Sequence, residues 1–436
     1  MSREMKNSCI PWIGMIPSTW QKIKVKQSGV KTGSGTTPKS EISRYYGGSI
    51  PWIQSGDLYG TDRITSTSKT VTGDALAEYS ALKTYKKPFI VLAMYGASVG
   101  NIAISDIDAC VNQACCVILP DTSNDISFLK YWLMYCKSDF IKQSVGSGQP
   151  NISQDKILNQ VYVKPSISEQ NAIAYYLDSH CSAIDSAISK HQQIIEKLEE
   201  YRKAVITQAV TNGLNPNVEM KDSGDSIIPI VPSHWLWTRV KFTVNVVRGG
   251  SPRPIEQYII GEKEDGYNWI KIGDATGGGK FIIATKQRIK PDGLNKTRLV
   301  HAGTLLLTNS MSFGHPYFLQ IDGCIHDGWL AFSDYKGVLP AFLYYYLMSE
   351  TTAHQFTTTA DGSVVQNLNI DKVRNSHIAL PPIVEQKAIV QYLDTVDGKI
   401  NTAIQHHNQI IEKLQEYKQS LIYNAVTGKI DCTTEA

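Results

Sequence analysis

Two long stretches of this chain carry apolar residues at intervals of three and four. Between them, short runs rich in Val, Ile, Thr and Tyr are broken by Gly and Pro. In the first stretch Leu177, Ile184, His191, Leu198 and Val205 recur every seven residues, with Cys181, Ile188 and Ile195 four positions later. In the second, Leu393, Ile400, His407, Leu414 and Leu421 repeat the spacing, with Ile404 and Ile411 interleaved. A sustained seven-residue stripe predicts a helix with a coiled-coil seam. No Pro or Gly follows Ser168-Glu169-Gln170 until Gly213, and only Gly398 lies between Val384-Glu385-Gln386 and Gly428. Each stretch is therefore read as one helix of about 44 residues, about 65 Å long at ~1.5 Å per residue.

The two stretches are near copies. Gln193-Ile194-Ile195-Glu196-Lys197-Leu198 returns as Gln409-Ile410-Ile411-Glu412-Lys413-Leu414, about 216 residues on. Glu200-Tyr201 and Ala209-Val210-Thr211 return as Glu416-Tyr417 and Ala425-Val426-Thr427. That period far exceeds the roughly 20–50 residues of solenoid repeats, so it implies two whole domains. Two similar halves imitate a homodimer, and a pseudo-two-fold axis would pair the long helices antiparallel. The β-like parts repeat more loosely. Ile16-Pro17-Ser18-Thr19-Trp20 answers Val231-Pro232-Ser233-His234-Trp235, and Trp52-Ile53 with Gly56-Asp57 answers Trp269-Ile270 with Gly273-Asp274. A Pro-bearing strand precedes each long helix (161–165 and 377–382). The expectation is an α+β fold with two similar globular domains, at 1–155 and 214–371, separated by antiparallel coiled-coil helices in spacer regions 156–213 and 372–436. Residues 213–225 read as a linker. A shared framework with divergent filling suggests one scaffold presenting two different recognition surfaces.

With 436 residues, 42% of them hydrophobic, the chain can bury two ordinary cores. A net charge of +3 neither demands nor excludes a nucleic-acid partner. The eight cysteines form no C-x-x-C, and only Cys110 and Cys324 occupy matching positions, which fits a reduced, intracellular protein. The polar N-terminus and the lack of any run of about 20 apolar residues point to a cytoplasmic chain without a membrane span.

No catalytic centre is legible. Gly277-Gly278-Gly279-Lys280 lacks phosphate-loop spacing and is followed by Phe281. There is no H-E-x-x-H, nucleophile elbow or zinc-like cluster, and no dinucleotide fingerprint. The Asp/Asn-Pro-Pro-aromatic tetrapeptide of amino-methyltransferases is missing too, since Leu380-Pro381-Pro382-Ile383 has neither polar nor aromatic end. His191 and His407 lie on the seam, where a lone histidine reads as a polar packing residue that fixes register; no Cys or carboxylate completes a ligand set, so no metal is expected. Basic residues are more suggestive. Lys22, Lys24, Lys26 and Lys31 stand without acidic neighbours, and Lys286, Arg288, Lys290, Lys296 and Arg298 are opposed only by Asp292. Arg248-Gly249-Gly250-Ser251-Pro252-Arg253 is a Gly-rich turn whose guanidiniums suit a phosphate or a guanine edge. Asn and Gln side chains can read base edges, though each such residue is equally at home in an ordinary surface loop.

Taken together, the whole chain resembles the specificity (S) subunit of type I restriction–modification systems. The resemblance rests on the Ile-Pro-x-x-Trp phrase, the Pro-x-x-x-Glu-Gln helix start, with Pro165 preceding Glu169-Gln170 and Pro382 preceding Glu385-Gln386, and the Ile-Ile-Glu-Lys-Leu-x-Glu-Tyr helix with its Ala-Val-Thr exit. The segment Thr308-Asn309-Ser310-Met311-Ser312-Phe313-Gly314 is also similar to parts of target-recognition domains. The resemblance implies a non-catalytic reader of double-stranded DNA whose two domains bind the halves of a split, asymmetric site. The paired helices would act as a ruler and dock two adenine methyltransferase (M) subunits, through which nuclease/translocase (R) subunits join. It places S-adenosylmethionine, Mg2+ and ATP on those partners and no cofactor here. DNA-facing candidates are Lys31, Thr36, Gln54, Tyr95, Ser98, Asn112 and Gln113 in the first half. In the second they are Arg248, Ser251, Arg253, Lys271, Lys280, Asn309, Ser310, Ser312 and His315. The competing reading is a coiled-coil scaffold whose globular domains bind proteins.

Overall fold

The most apolar runs become the central strands. Phe89–Ala93 is buried throughout and lies between Cys115–Leu119 and Ile102–Ser105 in a five-stranded sheet, edged by Lys31–Gly33 and Arg63–Ile64. Its counterpart places Leu305–Thr308 between Trp329–Ser333 and Pro316–Leu319, edged by Asn245–Arg248 and Phe281–Ile282. In both, all pairings are antiparallel except the last edge strand, which runs parallel to its neighbour. Continuous apolar runs of this length suit strands covered on both faces. A smaller sheet joins each one: Cys110–Val111, Tyr46–Ile53 and Lys69–Val71 in the first half, and five short strands around Tyr267–Ile270 and Gly323–Ile325 in the second. The computed structural model describes residues 3–143, 151–261, 264–275, 279–310, 314–358 and 368–434.

The packing divides the chain into two units, Met1–His191 with Gln409–Ala436, and Gln192–Asn408. Each holds one globular part, the near end of one long helix and the far end of the other. The helices run Ile167–Asn212 and Ile383–Val426, close to the expected bounds. In the first unit Ile173, Leu177, Cys181 and Ile184 share a core with Leu421, Ile422, Ala425 and Val426, and Lys418 Nζ lies 2.6 Å from an Asp185 oxygen. In the second, Ile206, Ala209 and Val210 share a core with Ile389 and Leu393, and Arg202 Nε lies 3.0 Å from Asp397 Oδ1. Within each unit, then, the two helices run antiparallel. Seam residues Leu177, Ile184, Leu393, Ile400 and Leu421 are buried; His191, Leu198, Val205, His407 and Leu414 are partly exposed.

Two sequence boundaries look different in the fold. Val161–Lys164, assigned to the spacer region, pairs antiparallel with Gln21–Lys24, and His377–Leu380 pairs with Leu236–Arg239. Each strand thus returns to the beginning of its own globular part before the long helix starts. The stretch read as a linker contributes Met220–Asp222, which pairs with Ile230–Pro232 as Met5–Asn7 pairs with Met15–Pro17.

The repeated motifs are the joints of this frame. The Trp20 indole N–H donates to Glu169 Oε1 at 3.2 Å, and Trp235 donates to Glu385 Oε2 at 3.1 Å. Gln170 accepts from the Asp125 N–H at 2.9 Å and donates to the Pro165 carbonyl; Gln386 accepts from the Leu339 N–H at 2.7 Å and donates to the Pro381 and Gly337 carbonyls. The Glu-Gln pair therefore holds the opening phrase and a short helix (Ile126–Tyr135 or Pro340–Met348) against the start of the long one.

Candidate nucleic-acid interface

In the second unit, four of the expected residues converge on Asp327, which the sequence reading passed over. Asp327 sits in the turn between Gly323–Ile325 and Trp329–Ser333. Ser251 Oγ donates to its Oδ1 at 2.7 Å, and Arg253 Nη2 lies 3.6 Å from its Oδ2. Arg248 Nε and Asn309 Nδ2 donate to its backbone carbonyl at 2.8 and 3.0 Å. Arg298 joins them by donating to the Arg248 carbonyl at 3.1 Å. The Ser251 hydrogen bond, with His326 and Arg248 nearby, holds the Asp327 carboxyl below the usual carboxylate range despite partial burial. It is an anion at neutral pH, beside the exposed guanidiniums of Arg248 and Arg253. Gly249 is required here: a Cβ would fall 2.2 Å from the His326 carbonyl oxygen, so any side chain would lift the arginine turn off the Asp327 turn.

The first unit builds the same frame from different side chains. Sheet register matches Gly35 to Gly249, and a Cβ on Gly35 would fall 1.7 Å from the Val111 carbonyl oxygen. Thr37 takes the place of Ser251 and donates to Gln113, which takes the place of Asp327. Ser34 replaces Arg248, and Met94 replaces Asn309. The backbone bond from Met94 N–H to the Ala114 carbonyl, 2.8 Å, corresponds to that from Asn309 N–H to Gly328, 3.0 Å. Asn112 Oδ1 accepts from the Ala114 N–H at 3.1 Å, which shapes the turn that presents Gln113. A cavity of about 550 Å³ opens beside it, lined among others by Thr37, Trp52, Gln54 and Lys69. One frame thus carries a neutral amide surface in one unit and an arginine–carboxylate surface in the other.

The other candidates scatter around these turns or lie apart. Lys31 is exposed at the start of its edge strand, Thr36 is half-buried beside Gly35, and Tyr95 is 42% exposed with Ser98 Oγ donating to its carbonyl. Ser310 is half-buried next to Asn309, and His315 is exposed, its N–H donating to Thr308 Oγ1 at 3.0 Å. Lys271 donates to Gln287 at 2.6 Å. Ser312, with Met311 and Phe313, lies outside the described residues, as do Gly277 and Gly278.

Lys280 has another partner. Its ammonium donates to Asp394 on the second long helix at 2.8 Å and sits about 4.8 Å from the centre of the Tyr345 ring, whose hydroxyl donates to the same carboxylate at 2.6 Å. The first unit has the matching pair, Tyr131 hydroxyl to Asp178 at 2.8 Å, but its cation is the buried Lys130, bonded to Asp62 at 3.1 Å. Register matches Asp62 to Lys280. The long helix carries a carboxylate in both units, while the cation sits on the short helix in the first and just before the edge strand in the second.

Among the described residues no group of three or more His, Cys, Asp or Glu could hold a metal ion, and no helix is long and apolar enough to cross a membrane. Burial pushes the Cys115 and Cys116 thiols up to about 12.

The model of the type I restriction modification DNA specificity domain matches twice, at residues 17–200 and 253–415, one match for each half. The chain belongs to this family. A stretch of 191 residues is 32% identical to the MjaIX specificity subunit of Methanocaldococcus jannaschii; it covers 43% of this chain and 43% of that relative. Similarity to the MjaVIII specificity subunit of the same organism is lower, 23%, but covers 95% of this chain and 94% of the other. Among solved structures, a chain from work on complex assembly and conformational transition of the type I R-M system shares the fold, with a TM-score of 0.71 and 16% identity over 95% of this chain and 99% of that one. Both relatives are named as specificity subunits of type I restriction enzymes. What sequence reading missed in this chain is the acidic centre of the second surface. Asp327 stands alone among Cys, His and Gly in the sequence, and a carboxylate is not sought in a DNA-facing loop. The one signal for it is its match to Gln113, which becomes visible in the sheet register.

Proposed function

We propose that this specificity subunit is the DNA-reading component of a type I restriction–modification complex, with each unit reading one part of a bipartite, asymmetric DNA site. The observation that carries this reading is the repeated frame with exchanged side chains: Thr37 and Gln113 in one unit, Ser251, Asp327 and three arginines in the other. Two identical readers would favour a symmetric target; two different surfaces on one backbone suit an asymmetric one. Amides and guanidiniums are the side chains that pair bidentately with adenine and guanine edges. In this reading the long helices set the spacing between half-sites and dock two adenine methyltransferase subunits, with nuclease/translocase subunits joining through them. S-adenosylmethionine, Mg2+ and ATP belong to those partners, because the methylase must extrude its adenine from the stack while this chain supplies register. A balanced net charge of +3 suffices if partner subunits share the neutralisation of phosphates.

Genome-wide mapping of N6-methyladenine in cells that express this chain with its methylase tests the reading. A split motif with one methylated adenine in each half-site is expected. An assembled complex that methylates no defined motif would favour a scaffold whose globular parts bind proteins.

A further inference from the structure

Both units place a hydroxyl, a proline and a basic residue in the same turn, and in both the hydroxyl is bonded to the residue at position 113 or 327. The first unit has Thr37-Pro38-Lys39 against Gln113; the second has Ser251-Pro252-Arg253 against Asp327. The basic residue and its neighbour differ together: lysine beside an amide, arginine beside a carboxylate. We infer that Arg253 reads a guanine in one half-site and that Asp327 is its positioning residue. The inference rests on the DNA-reading role proposed above.

Arg253 is the guanidinium with room to do this. Its side chain is 78% exposed, and its contact with Asp327 runs from Nη2 to Oδ2 at 3.6 Å. A guanidinium has five N–H donors in a planar fork, so a carboxylate on one edge leaves another edge free for the O6 and N7 acceptors of guanine. The carboxylate also limits the rotamers of a long side chain, so less conformational freedom is lost on binding. Arg248 is more committed: its Nε is bonded to the Asp327 carbonyl, and its own carbonyl accepts from Arg298. Asp327 is fixed in turn by Ser251 and by the close approach that Gly249 permits. Lys39 in the first unit is a point charge with no carboxylate at position 113, an arrangement that lacks the planar fork for bidentate reading and suits a phosphate better.

The test is methylation mapping of the assembled complex carrying wild-type chain, Arg253→Lys, Asp327→Asn, or both, with thermal melts to compare folding. Arg253→Lys and Asp327→Asn should each relax discrimination at the same single guanine, by about tenfold to a hundredfold for the lysine variant. The double variant should be no worse than Arg253→Lys, since the two side chains act as one unit. Every other position of the motif, including the whole opposite half-site, should be unchanged. Unaltered guanine preference in Arg253→Lys would overturn the inference. So would uniform weakening at all sequences, which marks a phosphate contact, or relaxation at different positions by the two variants. A wild-type complex without a split motif would instead remove the proposed function, and this inference with it.

Discussion

At the scale of single residues, two glutamines show how much of the frame depends on hydrogen bonds that bridge distant segments. Gln170 and Gln386 are wholly buried, and each joins backbone groups from two separate loops to the start of a long helix. Replacing Gln386 by Leu keeps the volume but leaves the Leu339 N–H without its acceptor and two carbonyls without a donor. Only the Pro381 bond is fully buried, and an orphaned buried group costs about 1–3 kcal/mol, so Gln386→Leu should destabilise the chain by roughly 2 kcal/mol. Chemical denaturation measures this, and a loss below about 0.5 kcal/mol would assign those bonds no structural weight. Asp394 makes a second residue-scale prediction. Burial raises its pKa, but the hydrogen bonds from Lys280 and Tyr345 and the lysine's charge outweigh this, and the net shift is downward. A carboxylate depressed in the folded state contributes stability that is full above its unfolded pKa and lost as pH falls through the folded one. Melting temperature should therefore fall on acidification below about pH 4, and less steeply in Asp394→Asn; identical acid profiles would contradict the pairing. The Glu-Gln motif itself was legible in the sequence. Its work was not, because Trp20, Asp125 and Leu339 lie far from it along the chain.

At the scale of elements, the long helices were the most legible feature, since a seven-residue stripe without Pro or Gly has few other solutions. The stripe did not show that the seam changes character along its length. Its ends are buried under the globular parts, while polar pairs such as Lys418 with Asp185 and Arg202 with Asp397 flank it farther along. The short edge strands were much harder to read. Arg63–Ile64 and Phe281–Ile282 are two residues each, too short for alternation to register, so nothing in the sequence connected Lys280 with the second long helix. The exchange of Asp62 for Lys280 was hidden for the same reason: the change is intelligible only against its spatial partner. If the helices set the distance between half-sites, inserting four residues in the first long helix, about one turn or ~6 Å, should alter the spacer of the methylated motif. An unchanged spacer would rule out that role.

At the scale of the whole molecule, the repeat made two domains readable, because whole phrases recur in the same order. The positions at which the surfaces differ were only partly readable. Arg248, Ser251, Arg253 and Asn309 were singled out as types that meet DNA, but the turn that gathers them is organised by an aspartate, and the match of Asp327 to Gln113 follows from sheet register. The central claim is that each unit reads its own part of the target. The most direct measurement replaces segment 20–151 with the corresponding segment of another specificity subunit and maps N6-methyladenine across the genome. The account predicts a motif in which one half-site changes and the other is retained base for base. A motif altered in both halves, or in neither, would contradict it.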